Sequence, residues 1–315
     1  MGGRSATSDE FKSYYRDNSH ISRATSASQV FRESCMAPEF DPSQIKLPRE
    51  ACDSVDCPHS RGIIFAEDVT GSMGRYLLEL IRDLFPRLIN MTYSSVSYNP
   101  HIMFMGVGDV TAGDRAPLQV TQFEADLRML DQVQKIYLER RGGGNSFESY
   151  LLPWYFAGKH VKMDCWDKRR EKGFLFTFGD EQPTPRLTQY EEKQVFGKNA
   201  TMTEKVISGA DCLRMAQEKF NCYHILLHGS GYGYEERRMW KELMGGHACD
   251  LSDYECLPEL VIAILSMHEG LSKTEAINKI QSSHARKVVA DALEDHEEHV
   301  AKTEGPVDGG HIDLF

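Results

Sequence analysis

Long apolar runs are missing from this 315-residue chain. No stretch approaches the roughly 20 residues that a bilayer-spanning helix needs. The opening MGGRSATSDEF offers no apolar core for a secretion signal. The expectation is a soluble, cytoplasmic protein with no membrane partner. Closely paired cysteines are missing too. The eight present are spread along the chain, and Cys52-x₄-Cys57-x-His59 and His247-x-Cys249-x₆-Cys256 lack the C-x₂-C spacing of a strong zinc motif, so reduced thiols are expected. Basic clusters are short, as in Lys168-Arg169-Arg170, and the net charge is −11, which excludes a general nucleic-acid binder. There is no G-x-S-x-G, no H-E-x-x-H and no G-x-x-x-x-G-K-[ST], hence no obvious nucleophile–base pair or P-loop. No internal repeat is visible.

What is present is an alternation of strands and helices. Residues 1–60 are rich in Ser, Asp, Arg and Pro, with isolated Phe11, Tyr14, Tyr15 and Phe31, and read as an extended or partly helical arm docked on the main domain. From 61 to 270 the pattern predicts apolar strands at 63–66, 101–108, 173–178 and 222–227, an edge strand at 118–123 and a small last strand at 248–251. Helices are expected at 75–90, where Pro86 marks a kink or last turn, and at 124–138, 147–159, 204–220, 235–244 and 257–267. Residues 185–201 read as a polar surface excursion. Ser272-x-x-Glu275 fits a capping box opening a helix that runs to about 298, within a C-terminal helical extension and acidic tail at 271–315. The fold class is α/β with a mostly parallel sheet.

Everything converges on residues 61–74, RGIIFAEDVTGSMG. Asp68, Thr70 and Ser72 alternate along an extended turn, so their side chains leave the backbone on one side. One carboxylate and two hydroxyls offer hard oxygen ligands to a cation such as Mg²⁺. The plainer alternative is that Asp68 or Ser72 caps the helix that follows. Two more strands end in Asp109 and Asp180, and ligands of open parallel sheets bind beyond the carboxyl ends of the strands. Asp109 reads as a strand-end cap. Three successive glycines at 142–144 demand a close approach or a sharp turn. Asp68, Thr70, Ser72, one of Asn145 or Ser146, and Asp180 therefore form the candidate site.

These residues resemble the von Willebrand factor A domain with its metal-ion-dependent adhesion site. That family's Asp-x-Ser-x-Ser stands here as Asp68-Val69-Thr70-Gly71-Ser72, and Asp180 matches the Asp after its fourth strand. GGGNSFES takes the place of the Gly-Gly-Thr loop without its Thr, with Asn145 the first choice for that ligand and Ser146 the second. The resemblance implies a doubly wound, Rossmann-like sheet of six strands in the order 3-2-1-4-5-6, helices on both faces, and Mg²⁺ (or Mn²⁺ or Ca²⁺) at its top. It also implies an open coordination position filled by an acidic residue of a protein partner. Stand-alone relatives of this kind are intracellular bacterial and phage proteins, some associated with ring-forming ATPases or with stress and defence systems. The function expected is an adaptor without catalysis. Two other readings stand beside it: a Mg²⁺-dependent phosphohydrolase with Asp68 as nucleophile, and a scaffold whose site has lost its metal.

Overall fold

The computed structural model of the protein describes residues 4–139, 147–227 and 233–296. Its strands in chain order are β1 (Arg49–Ala51), β2 (Ser60–Asp68), β3 (Asn99–Val107), β4 (Leu118–Val120), β5 (Phe147–Glu148) and β6 (Val161–Met163). They continue with β7 (Gly173–Gly179), β8 (Gln182–Pro183), β9 (Arg186–Thr188), β10 (Val206–Ser208), β11 (Phe220–Leu227) and β12 (Ala248–Leu251).

β2 is the central strand because Ile63, Ile64, Phe65 and Ala66 give it apolar side chains on both faces. It pairs in parallel with β3 on one side and β7 on the other. The main sheet runs β12-β11-β7-β2-β3-β4, all parallel except the β4 edge. Numbered along the chain, its six strands follow the order 3-2-1-4-5-6, which reverses between β2 and β7. Alternate residues of the strands feed two separate cores. Ile63 and Phe65 join Phe104, Phe176 and residues of the Phe85–Ser95, Leu257–His268 and Ser283–Ala292 helices. Ile64 and Ala66 join residues of the Leu151–His160, Gln189–Phe196, Gly209–Gln217 and Tyr234–Met244 helices. Phe65 touches the rings of Phe85, Phe104, Phe176 and Phe178, and burial of each such side chain contributes about 2–3 kcal/mol. No described helix is long and apolar enough to cross a membrane.

Several elements differ from expectation, and each has a local cause. The helix after β2 runs on past Pro86 because a π-helical turn at Leu80–Leu84 precedes Phe85–Ser95, with the proline in that helix's first turn, where no N–H is missed. The helix expected at 124–138 shrinks to Arg128–Val133. Residues 185–201 are not irregular: β9 leads into Gln189–Phe196, which a Thr188/Glu191 capping box opens inside the polar stretch. The 204–220 helix begins later, at Gly209, because Ser208 and Asp211 form another capping box and residues 206–208 pair with β9. The C-terminal helix is two, Lys273–Asn278 and Ser283–Ala292, the first opened by the Ser272/Glu275 box and the second capped by Ser282. At the N-terminal end, Ser8–Asp17 is helical, Ala6 N–H donates to Ala125 O, and β1 pairs in parallel with β6.

One close approach sets the spacing of two of these helices. A Cβ on Gly158 would stand 2.8 Å from Met215 Cβ and 2.9 Å from its carbonyl carbon, on the Gly209–Gln217 helix. Gly158→Ala is expected to cost about 2 kcal/mol even though alanine is the better helix former. Urea unfolding checks this: the midpoint falls with an unchanged slope.

Candidate metal centre

The pleat of β2 turns Glu67 and Asp68 to opposite faces, and both are buried. Asp68 is fully enclosed on the side of Ile64 and Ala66. Thr70 donates to its Oδ1 twice, from the backbone N–H and from the hydroxyl, each at 2.7 Å. Asp68 Oδ2 is left without a donor. The next strand ends in the same tripeptide, Asp109-Val110-Thr111, and there the outcome differs. Thr111 donates from N–H at 2.8 Å and from its hydroxyl to both carboxylate oxygens at 2.7 and 2.8 Å, and Ser149 adds a bond at 3.1 Å. Asp109 spends both oxygens closing its own loop, whereas Asp68 keeps one in reserve. Nor does Asp68 cap the following helix: Gly74–Glu79 has Met73 at its N-cap, with no side-chain bond.

Two further carboxyls stand with Asp68. Asp180, directly after β7, is buried and has Oδ1 without a donor. Glu148 lies in β5, which pairs with β8 so that Glu148 is level with Pro183, and Thr184 N–H donates to its carbonyl at 3.0 Å. That pairing ties the segment after the glycine loop to the segment after Asp180. Glu148 is buried, and its Oε2 also lacks a donor. Tyr150 presses its hydroxyl against Gly179, where a Cβ would sit 1.7 Å away, and that hydroxyl has no partner either. On the other face, both oxygens of Glu67 lack donors, in a small apolar chamber lined by Val69, Leu77, Ile81 and Phe85.

The electrostatics couple Asp68, Asp180, Glu148 and Tyr150, and reach Glu67 across the sheet. Burial pushes the Asp68 carboxyl up, against the hydrogen bonds from Thr70 and with the negative charges of Asp180 and Glu181. Glu148 is raised by burial and then by Asp68, Asp109, Asp114 and Glu181. Glu67 is raised well above its ordinary range by burial, Asp68 and Asp180, and Asp180 is raised by burial. The Tyr150 phenol is pushed up by burial and then by Asp68, Glu148, Asp180 and Glu67. Buried carboxylates this close must take up protons or a cation. Donor oxygens alone, several of them charged, fit a hard divalent ion.

Of the residues expected from sequence, Asp68, Thr70 and Asp180 meet at the carboxyl ends of β2 and β7. The backbone of Ser72 lies in the 3₁₀ turn Gly71–Met73, while its side chain, Asn145 and Ser146 lie outside the described residues. Glu148, Glu67 and Tyr150 escaped sequence reading. Residues 147–159 read as helix, whereas the helix begins at Leu151 and Glu148 sits in a strand. His224 is a core residue: its Nδ1 meets the Thr177 hydroxyl at 2.8 Å and its ring stacks on Trp240.

No protein-family model and no curated protein matches the chain. Among solved structures it is similar to the pilus adhesin SpaC from Lactobacillus rhamnosus GG in its open conformation, at 8% identity and a TM-score of 0.45, over 67% of this chain and 30% of that one. A second structure of the same adhesin is 10% identical with a TM-score of 0.44, over 67% and 31% of the two chains. The chain thus spans less than a third of the adhesin's length.

Proposed function

We propose that this chain is a divalent-metal-dependent protein-binding module of the von Willebrand factor A type, holding Mg²⁺ at the carboxyl ends of its sheet for completion by a partner's carboxylate. The observation that carries this reading is the set of buried oxygens without donors: Asp68 Oδ2, Glu148 Oε2 and Asp180 Oδ1. A divalent ion supplies the positive charge that these groups otherwise obtain only by protonation. The 3-2-1-4-5-6 order is that of a doubly wound sheet, and its reversal between β2 and β7 falls beside Asp68 and Asp180. Thr70, Ser72 and either Asn145 or Ser146 would add neutral oxygens. Glu148, in the strand after the glycine loop, would add a charged oxygen where that loop lacks a threonine hydroxyl.

Calorimetric titration with Mg²⁺, Mn²⁺ and Ca²⁺ tests the proposal. The expected result is saturable binding of one ion per chain. Absence of heat at millimolar metal would leave a metal-free scaffold, and hydrolysis of a generic phosphate ester that disappears in Asp68→Asn would make the protein a phosphohydrolase.

The raised carboxyls also link metal to pH. In the metal-free folded protein these groups hold protons that the unfolded chain releases near the ordinary value, 3.8 for Asp68. Stability is therefore complete below that range and lost as pH rises through the folded value, about 7 for Asp68 and higher for Glu148. Buried His101 and His160, pushed down to about 4, act in the opposite sense only below the ordinary histidine value of 6.5. Between about pH 7 and pH 9, chelator-treated protein is expected to lose on the order of 3 kcal/mol. Saturating Mg²⁺ should remove most of that slope. Denaturant unfolding at the two pH values, with and without chelator, measures both.

A further inference from the structure

A second cluster lies away from the carboxylate centre, where the short turn Tyr254–Cys256 enters the Leu257–His268 helix. One ligand atom each from Asp253, Cys256 and His284 lies within 4.8 Å of the others. His284 is the second residue of the Ser283–Ala292 helix, and its Nε2 contacts Asp253 Oδ2 at 2.6 Å. The other oxygen of Asp253, Oδ1, accepts the Glu255 N–H at 3.1 Å, so the carboxylate is oriented by the backbone while Oδ2 points into the cluster. The Cys256 thiol also leans on the Asp253 carboxylate. Cys256 is buried, and the His284 side chain is two-thirds exposed.

We propose that Asp253, Cys256 and His284 form a zinc site that clips the Ser283–Ala292 helix to the start of the Leu257–His268 helix. The donor set decides the metal class. A thiolate, an imidazole and a carboxylate suit borderline-soft Zn²⁺ and disfavour Mg²⁺ and Ca²⁺, which take oxygen ligands. Tetrahedral zinc with bonds of about 2.0–2.3 Å places its ligand atoms roughly 3.3–3.7 Å apart. The His284–Asp253 side of the triangle, now 2.6 Å, reaches that spacing when it opens by about 1 Å, which an exposed side chain in a first helical turn is free to do. The thiol, within 4.8 Å of both, closes on the ion. Zinc replaces the thiol proton of Cys256, which passes to solvent, and the Sγ–Zn bond forms without any change of oxidation state. Water fills the fourth position on the exposed side. The signal is nearly invisible in sequence: Asp253-x-x-Cys256 is close-set, but His284 comes 28 residues later and is brought in only by helix packing. Of the zinc spacings legible in sequence, His247 is engaged elsewhere, with its Nδ1 at the Cys222 carbonyl and its ring on Tyr223, and Cys249 is sealed in the core.

Cobalt substitution tests the site in the 315-residue chain. After chelator treatment, Co²⁺ is expected to produce a thiolate-to-cobalt charge-transfer band at one ion per chain, which Zn²⁺ then bleaches. The band should vanish in Cys256→Ser, and cobalt affinity should fall at least about 10-fold in His284→Ala. Asp68→Asn should leave the band intact, which keeps this site separate from the carboxylate centre. No thiolate band, or one that survives Cys256→Ser, overturns the proposal. Should Cys256→Ser not fold, the exposed His284 decides: unchanged cobalt affinity in His284→Ala overturns it equally.

Discussion

Asp68→Asn is expected to make the metal-free protein more stable and the metal-loaded protein less stable than the parent. The asparagine oxygen can still accept both bonds that Thr70 gives to Oδ1. Its amide stands where Oδ2 now lacks a donor, in the field of the Asp180 and Glu148 carboxyls. One buried negative charge is removed from a group that repels itself, and a carboxyl raised from 3.8 to about 7 is replaced by a group that never ionises. Near pH 8 in chelator the variant should gain about 2 kcal/mol. In Mg²⁺ at a hundred times its dissociation constant the parent gains about 2.7 kcal/mol and the variant gains nothing. The two unfolding curves therefore exchange order when metal is added. A variant less stable than the parent under both conditions would mean that Asp68 serves the fold and not an ion.

Gly179→Ala should damage fold and site together. The new methyl would lie 1.7 Å from the Tyr150 hydroxyl and 2.7 Å from the ring carbon that bears it. The ring has no room to retreat, being set edge-on against His224 at 5.0 Å and Trp240 at 5.4 Å. A cost of about 3 kcal/mol is expected. Asp180 follows directly in the chain, so a displaced β7 end carries its carboxylate away from Asp68, and Mg²⁺ affinity should fall about 10-fold or more. Adding Tyr150→Phe removes the closest contact and should restore part of the stability, as a double-mutant cycle by denaturant unfolding would measure. An alanine variant as stable and as metal-competent as the parent would rule out the packing described.

Much of the sheet could be read from the residues, because a central strand such as 63–66 carries an uninterrupted apolar run that few other structures explain. Asp68, Thr70 and Asp180 could be nominated for a related reason: polar residues that break an apolar strand fall at its end, and ends of parallel strands share one edge of the sheet. Glu148 could not. Its contribution depends on β5 pairing with β8 across more than thirty residues, and nothing in Phe-Glu-Ser separates a strand from the first turn of a helix. Burial is the other hidden variable. Asp68 and Asp109 head identical Asp-Val-Thr tripeptides, and what separates them is that the Thr111 hydroxyl reaches both oxygens of Asp109 whereas the Thr70 hydroxyl reaches only Oδ1 of Asp68. Capping boxes at Thr188 and Ser208 were legible, but they lay inside stretches whose average polarity argued for loop or for a longer helix.

The pairing of β1 with β6 has a consequence for the order in which the molecule is made. Arg49–Ala51 binds to Val161–Met163, more than a hundred residues downstream, and Ala6 and Tyr14 bind to Ala125 and Asp131. A ribosome adding about 5–20 residues per second holds β1 without its partner strand for on the order of 10 s. Phe11 and Phe31 are covered sooner, by Tyr93 and by Leu77, Ile81 and Phe85, so only the β1 part of the segment waits that long. β1 is therefore placed only after Val161–Met163 has followed it in the chain.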